Sequence, residues 1–217
     1  MDTQGTRKSR IQLSLNTEDD KSLASFSYSV RIRLGDAYTH ITKELNQAIN
    51  WMTLGEFWSA GPKNVAMGDR SRVTLNLVQE TPKSPFHFGL KADFQPDGGS
   101  GWAHIWKDGN GKGIELVSTQ LVPIGEWFTL HAHLVAGTKE TGRVTIEIEN
   151  NKGETETLFD VSDATVFMED GSLGFTAVQP IKIYTSGNLV CWLKSQTPPM
   201  ILDAWWDDFV FNTKAIE

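Results

Sequence analysis

The sequence has little of several features that mark particular classes of protein. It contains one cysteine, Cys191, in 217 residues, which excludes an internal disulfide and a zinc site built on a Cys-x-x-Cys pair. No apolar run approaches the length that crosses a bilayer. Positive charge is also scarce, because 20 Lys and Arg stand against 27 Asp and Glu, giving a formal net charge of −7. This balance argues against nucleic acid as a partner, since phosphates need a basic surface.

The amino-terminal segment MDTQGTRKSR is polar and basic and has no apolar centre, so it is not a signal peptide. Two locations stay open: the cytoplasm, or a compartment reached with an export signal that this chain does not contain. The rest of the composition is ordinary for a globular protein, with 39% hydrophobic and 22% charged residues. Tyrosine is scarce and tryptophan is not, at three against eight, and tryptophan is common on faces that stack against ligands.

Short alternating segments recur along the chain. Residues 24–34, 72–80 and 86–94 alternate apolar and polar side chains, which predicts strands with one face in a core. Only residues 36–48 and 188–195 have helical spacing, the second with Ser186 as a plausible N-cap. The pattern predicts an all-β fold, a two-sheet antiparallel β-sandwich with one or two short helices, as a single domain over residues 1–217. Residues 1–23 are expected to hold an N-terminal strand and a tail that can be flexible.

The segment EWFTLHAHLVA, residues 126–136, predicts a strand with an apolar face and a polar face. His131 and His133 share the polar face, and they are two of only five histidines. Histidine is the usual proton carrier near neutral pH, so the pair is a candidate acid–base site. The alternative is that an exposed sheet face simply tolerates polar rings.

The order of several motifs resembles the concanavalin A-like jelly-roll proteins of the polysaccharide-lyase type, akin to heparin lyase I and the alginate and glucuronan lyases. The resemblance runs over residues 24–212 and rests on TLGEFW, WFTLH after an IG turn, GRVTIEI, LFDV, a late IKIYTSG, a short helix and a closing WWDDFVF. Some of these motifs also recur in pure lectins. The resemblance implies a curved sheet that holds an extended polysaccharide, and an extracellular or periplasmic protein.

Lyases of this kind remove the C5 proton of a uronate and then expel the 4-linked sugar. The reaction needs a group that neutralises the carboxylate, a base for the proton and an acid for the leaving oxygen. In jelly-roll lyases a Gln or Asn, an Arg or Lys, a His and a Tyr usually share this work. The resemblance therefore implies His131 as the base and Tyr184 as the acid. It implies that the uronate is held by Asn76 with Lys91 or Arg33.

Further outward-facing residues are candidates for binding the sugar chain. Trp102, His104 and Trp106 follow at a spacing of two, so they predict either a stacking platform for sugar rings or, equally well, a core face with an interior histidine. Lys182 shares the IKIYTSG segment with Tyr184, where the family's K-x-G-x-Y order is matched only in part. The remaining substrate-binding candidates are Arg33, Glu56 and His133.

Other features of the sequence count against an enzyme. The family's early R-S/T-E segment and the Q-I-H segment of alginate lyases are absent, and no strand carries the E-x-D-x-x-E acids of glycoside hydrolases on this fold. Three functions therefore stay open: a polysaccharide lyase, a carbohydrate-binding module without catalysis, and a structural sandwich. We expect no required cofactor. Asp207 and Asp208 predict a structural calcium site, although neighbours on a strand point opposite ways, so only one can ligate unless the strand ends there.

Overall fold

The protein forms two β-sheets with two short helices. The structure, a computed structural model, describes residues 7–17, 21–60, 70–95, 101–167 and 174–215. The strands within these ranges are β1 (Ser9–Asn16), β2 (Leu23–Leu34), β3 (Met52–Ala60), β4 (Arg70–Val78), β5 (His87–Gln95), β6 (Ala103–His104), β7 (Leu116–Leu121), β8 (Trp127–Val135), β9 (Arg143–Glu149), β10 (Thr155–Ser162), β11 (Ala177–Thr185) and β12 (Ala204–Ala215). The helices are α1 (Ala37–Glu44) and α2 (Gly187–Ser195).

Both sheets are antiparallel. Sheet A has the strand order β1-β11-β3-β4-β5-β6, with β7 also pairing with β5, and sheet B has the order β10-β9-β8-β2-β12. Strands far apart in the chain therefore become neighbours, because β11 lies between β1 and β3. The all-β, two-sheet antiparallel sandwich that the sequence predicts is confirmed.

The core lies between the two sheets and follows the period-two alternation. On β2 every second residue from Phe26 to Leu34 is at most 3% exposed, and the residues that alternate with these are half-exposed or exposed. Aromatic rings join the sheets across the core, since the ring of Phe26 on sheet B lies 5.5 Å from that of Phe57 on sheet A. Burying such rings is the main favourable term that holds a sandwich closed.

The outward faces of the two sheets differ sharply in exposure. Sheet B turns half-exposed and exposed polar residues outward, as the alternating pattern of β8 shows. Sheet A instead turns polar residues outward that are 5% exposed or less: Thr53, Glu56, Thr74, Asn76, Asp93 and Lys182. Buried polar groups need partners, so this face of sheet A is where a site is expected.

The two predicted helices are present, each with a local cause. Helix α1 is shorter than residues 36–48 suggested, because the backbone turns extended at Leu45, while Tyr38 and Ile41 are buried in the core. In α2 the hydroxyl oxygen of Ser186 accepts a hydrogen bond from the N–H of Leu189 at 3.3 Å, so the predicted N-cap is confirmed. Among the described residues no helix is long and apolar enough to span a membrane.

The stacking platform predicted from Trp102, His104 and Trp106 is wrong for Trp106. Strand β6 contains only Ala103 and His104, so the alternation ends before Trp106. That ring is 1% exposed, and its indole N–H donates to the carbonyl oxygen of Ala164 at 2.8 Å. The core interpretation therefore holds for Trp106, whereas Trp102 stays 37% exposed.

Two tryptophans of opposite burial give a matched test of this assignment. Trp106→Ala should lower the free energy of unfolding by about 3–5 kcal/mol, because it leaves a cavity and an unpaired carbonyl. Trp205→Ala, at a position 47% exposed, should cost less than about 1 kcal/mol. Urea unfolding midpoints measure both, and equal losses would contradict the assignment.

Candidate functional site

A cleft of about 310 Å³ opens on the outward face of sheet A. Asn76, Lys91, Tyr184, His104 and Trp102, all predicted site residues, are among the residues that line it. The lining is completed by residues that the sequence analysis did not select: Lys8, Trp51, Thr53, Arg72, Thr74 and Asp93.

Strand register explains why these residues meet. Antiparallel partners point to the same face of a sheet, and Tyr184, Thr53 and Asn76 are partners across β11, β3 and β4. A second row runs Arg72, Asp93, His104 across β4, β5 and β6. The cleft thus has Tyr184 towards one end and His104 towards the other.

Glu56 lies between two cations on the floor of this face. Its carboxylate accepts hydrogen bonds from the Arg72 guanidinium and from the Lys182 ammonium. The Lys182 ammonium also donates to the side-chain oxygen of Gln179 at 2.6 Å. Burial lowers the pKa of Lys182, and the neighbouring Glu56 carboxylate opposes that shift. Glu56 and Lys182 are therefore a buried ion pair beneath the cleft.

Asp93 is the second buried carboxylate of this face and is surrounded by positive groups. Its oxygens lie 3.8 Å from the ammonium nitrogen of Lys91 and 3.8 Å from a guanidinium nitrogen of Arg72. His104 Nδ1 is closest, at 2.9 Å, although the two groups are not aligned for a hydrogen bond. Arg72 also stacks over the Trp102 ring, with its guanidinium carbon 3.6 Å from the ring centre.

Asn76 is tied to Glu115, which precedes β7. The Asn76 amide donates to Glu115 Oε1 at 3.0 Å. Burial raises the pKa of the Glu115 carboxyl, while the charge of Lys91 and the bond from Asn76 oppose the rise. The same amide nitrogen also donates a longer hydrogen bond, 3.5 Å, to Thr74 Oγ1.

The Tyr184 ring stands among aromatic and positive groups. Its centre lies 5.2 Å from that of the Trp51 ring. The ammonium of Lys8 is 5.5 Å from the Tyr184 ring centre and that of Lys182 is 5.4 Å from it. The guanidinium of Arg10 lies 5.8 Å away. These distances suit cation–π attraction and give this end of the cleft a positive character.

The structure does not bring His131 and Tyr184 together, so they cannot be the base and the acid of one reaction. His131 lies on β8 in sheet B and Tyr184 on β11 in sheet A. Because Leu130 and Ala132 are buried between the sheets, His131 points away from sheet A. Its Nε2 lies 3.4 Å from a carboxylate oxygen of Glu149.

His133 and Arg33 also lie on the outward face of sheet B, so neither reaches the cleft. His133 pairs across the sheet with Ser27. The Arg33 guanidinium lies over the Trp205 ring, 5.6 Å from its centre. Alternation indicates which residues face outward, but a sandwich has two outward faces, and the pattern cannot tell them apart.

The predicted calcium ligands are neighbours on one strand. Asp207 and Asp208 lie on β12 at an irregularity in its pairing with β2, where Asp208 has a φ of 49°. The Asp208 N–H donates to Asp207 Oδ1 at 2.9 Å. Within the described ranges no group of three or more His, Cys, Asp or Glu could hold a metal ion.

Arg72 is the most important residue that the sequence analysis missed, although a signal for it existed. It alternates with Thr74 and Asn76 on β4 and so shares their face. Trp51, Lys8 and Glu115 carried no such signal, because they come to the cleft through contacts between distant segments.

Comparisons with known proteins find a similar fold in several solved structures. No family model and no curated protein matches the sequence. A mutant of alginate lyase Aly36B in complex with alginate trisaccharide is 14% identical, with a TM-score of 0.52 over 95% of this chain and 81% of that one. The PL-14 alginate lyase from Aplysia kurodai is 12% identical, with a TM-score of 0.52 over 89% and 71%.

A third solved structure is similar to the same extent. The endo-β-1,4-glucuronan lyase from the fungus Trichoderma reesei is 11% identical, with a TM-score of 0.54 over 95% of this chain and 76% of that chain. The TM-scores, all above 0.5, indicate a common fold. Sequence identities this low leave the activity open. The chain therefore has the jelly-roll fold of polysaccharide lyases, and the fold that the resemblance implied is confirmed.

Proposed function

We propose that the cleft on sheet A binds a uronate-containing polysaccharide and cleaves it by β-elimination. One observation carries the proposal: a phenol, a carboxamide and several cations line a single cleft on a lyase-like fold. The structural neighbours include alginate and glucuronan lyases, whose substrates are polymers of this class.

The charge of the cleft suits a polyanion. Lys8, Arg72 and Lys91 line it against one carboxylate, that of Asp93, although the whole chain carries a formal charge of −7. A local positive cleft on an acidic body attracts an anionic chain through its own field. Trp51 and Trp102 supply the flat apolar surfaces on which sugar rings pack.

Tyr184 is the group best situated for proton transfer. In its deprotonated form the phenol oxygen takes the C5 proton, the C5 electron pair forms the C4–C5 double bond, and the C4–O4 bond breaks. The same phenol then returns the proton to the departing O4. Lys91 neutralises the uronate carboxylate with help from the Asn76 amide, whose nitrogen also donates to Glu115 and Thr74, and this makes the C5 proton more acidic.

His104 is assigned to binding because it is far from Tyr184. Four strand intervals separate β11 from β6 in sheet A, a Cα separation of about 19 Å at the usual strand spacing. A sugar residue at Tyr184 would therefore have its neighbours along the chain at Arg72, Trp102 and His104.

A binding module without catalysis is the second candidate, and one feature favours it. The cleft's histidine faces Asp93 rather than Tyr184, and Glu56 already pairs with Arg72. Such internally paired groups recognise a chain well but leave fewer groups free for proton transfer. The two candidates differ in one measurable product, the conjugated double bond of an unsaturated uronate.

Tyr184→Phe should abolish this product, with a fall in turnover of at least about 100-fold, because it removes only the hydroxyl. Ultraviolet absorbance during incubation with a panel of uronate polymers measures the reaction. The thermal midpoint should stay near that of the parent, because the ring is kept.

His131→Ala is the matched control for Tyr184→Phe, because His131 lies on the other sheet. It should keep the parent's turnover, and a loss as large as that of Tyr184→Phe would move the site away from sheet A. If the parent binds uronate polymers without an absorbance change, the binding module is supported. If the parent neither binds uronate polymers nor changes their absorbance, a purely structural sandwich is supported.

Glu56→Gln should destabilise the protein by about 3–5 kcal/mol, since it leaves two cations without their buried partner. The control is Glu149→Gln, which removes the carboxylate of a half-exposed pair with His131 and should cost less than about 1 kcal/mol. Unfolding in urea measures both changes. A Glu56→Gln midpoint equal to the parent's would show that the pair beneath the cleft does not stabilise the fold.

Glu115 gives the stability a pH dependence of known sign. Because burial raises its pKa in the folded state, the folded protein holds this proton to a higher pH than the unfolded chain, whose value is about 4.3. The contribution of Glu115 to stability is therefore present at low pH and is lost as pH rises through the folded value. Glu115→Gln lacks this loss, so its stability relative to the parent should increase from about pH 4 towards neutrality. Parallel curves of urea midpoint against pH would contradict the assignment.

A further inference from the structure

Two tryptophans and an arginine form a row across the outward face of sheet B. Trp205 on β12 pairs with Arg33 on β2, and Arg33 pairs with Trp127 on β8. All three share one face, because antiparallel partners do. We call them the Trp–Arg row. It lies on the side of the sandwich opposite the cleft of sheet A.

Arg33 and Trp205 are exposed to solvent, Trp127 is half-buried, and arginine guanidinium groups already lie over both rings. Trp205 is 47% exposed, and the Arg33 guanidinium lies 5.6 Å from the centre of its ring. Arg31, one row further along β2, lies 5.0 Å from the Trp127 ring centre. Stacking holds a guanidinium in place while its edge N–H groups remain available to an acceptor.

The two arginines differ in their neighbours. Arg31 pairs across the sheet with Asp207 and lies 3.9 Å from an Asp208 carboxylate oxygen. Part of its positive charge is therefore neutralised within the protein. Among the described residues no carboxylate lies within ion-pair distance of Arg33, whose cross-strand partners are both tryptophans. Arg33 is therefore the cation that can take an outside carboxylate.

We propose that the Trp–Arg row is a second saccharide-binding site, which holds a carboxylate-bearing sugar chain against Trp127 and Trp205 with Arg33 on the carboxylate. Trp127 and Trp205 are two strand intervals apart, about 10 Å between their Cα atoms, which suits rings at alternate positions of an extended chain. A planar guanidinium binds a carboxylate through two parallel hydrogen bonds. The ligand class follows from this face alone and does not require cleavage in the cleft.

The surface beyond the row can accommodate an extended chain. The next outward residues of β2 are Ser29 and Ser27, whose small side chains lie between taller neighbours on both sides. These neighbours are Val210 and Asn212 on β12 and His131 and His133 on β8. A row of small hydroxyl side chains, flanked by larger ones, thus leads away from Arg31 and Arg33.

The tryptophans themselves report on the two faces separately. The Tyr184→Phe protein, which cannot consume the sugar under the proposed mechanism, is titrated with alginate trisaccharide to about 10 mM, a range suited to weak single-site affinities. Indole N–H resonances are followed by two-dimensional NMR and assigned by single Trp→Phe changes. We expect the signals of Trp127 and Trp205 to shift and saturate, with a dissociation constant of their own.

A variant and a neutral sugar test whether Arg33 and the carboxylate of the sugar account for the binding. Arg33→Gln should weaken binding at Trp205 by at least about fivefold without moving the thermal midpoint, and cellotriose should bind there more weakly than the uronate. Shifts confined to Trp51 and Trp102 would overturn this proposal and leave the cleft in use. Shifts confined to Trp127 and Trp205 would support this proposal against the cleft. Unmoved Trp127 and Trp205 signals, or an Arg33→Gln protein that binds like the parent, overturn it.

Discussion

The Glu56 carboxylate is the interaction on which the organisation of sheet A depends. It bridges Arg72 on β4 and Lys182 on β11, and it is 2% exposed. Burying a cation without a partner costs several kcal/mol, and Glu56 is the carboxylate that Arg72 and Lys182 share. Because Glu56 compensates them from below, the upper edge of Arg72 can stack on Trp102 and line the cleft. The proposed recognition surface for an anion thus rests on a buried anion of the protein itself.

The two outward faces of the sandwich hold their cations in different ways. On sheet A, cations are held by buried carboxylates, at Glu56 and Asp93. On sheet B, Arg33 is held by an exposed tryptophan ring. The buried carboxylates of sheet A hold the cations rigidly in position, and the local field is strong because low exposure weakens screening by solvent. The exposed ring on sheet B leaves the charge of Arg33 more hydrated, and this arrangement therefore suits weaker and more adaptable binding.

Much of the fold was readable from the sequence, because burial in a sandwich obeys a period of two. The alternation of residues 24–34 gave the buried face of β2, and Ser186 gave the start of α2. Three predicted catalytic residues, Asn76, Lys91 and Tyr184, do share a cleft. The error at His131 has a different origin, because β8 and β11 join different sheets and sheet membership is set by long-range pairing that no local pattern records. Trp106 was ambiguous for a local reason, since its strand ends at His104.

The acidic balance of the chain constrains how it could meet a polyanion. With a formal charge of −7, most of the surface repels such a chain, and charges more than about 8–10 Å apart in physiological salt hardly act on one another. The cleft and the Trp–Arg row are separated by two sheets whose backbones alone pack about 10 Å apart. Each positive patch must therefore attract a carboxylate by its own local field. The charge of one face therefore adds no attraction for a polymer bound at the other face. Binding of one polymer at both faces would increase affinity only if its chain is long enough to reach around the edge of the sandwich.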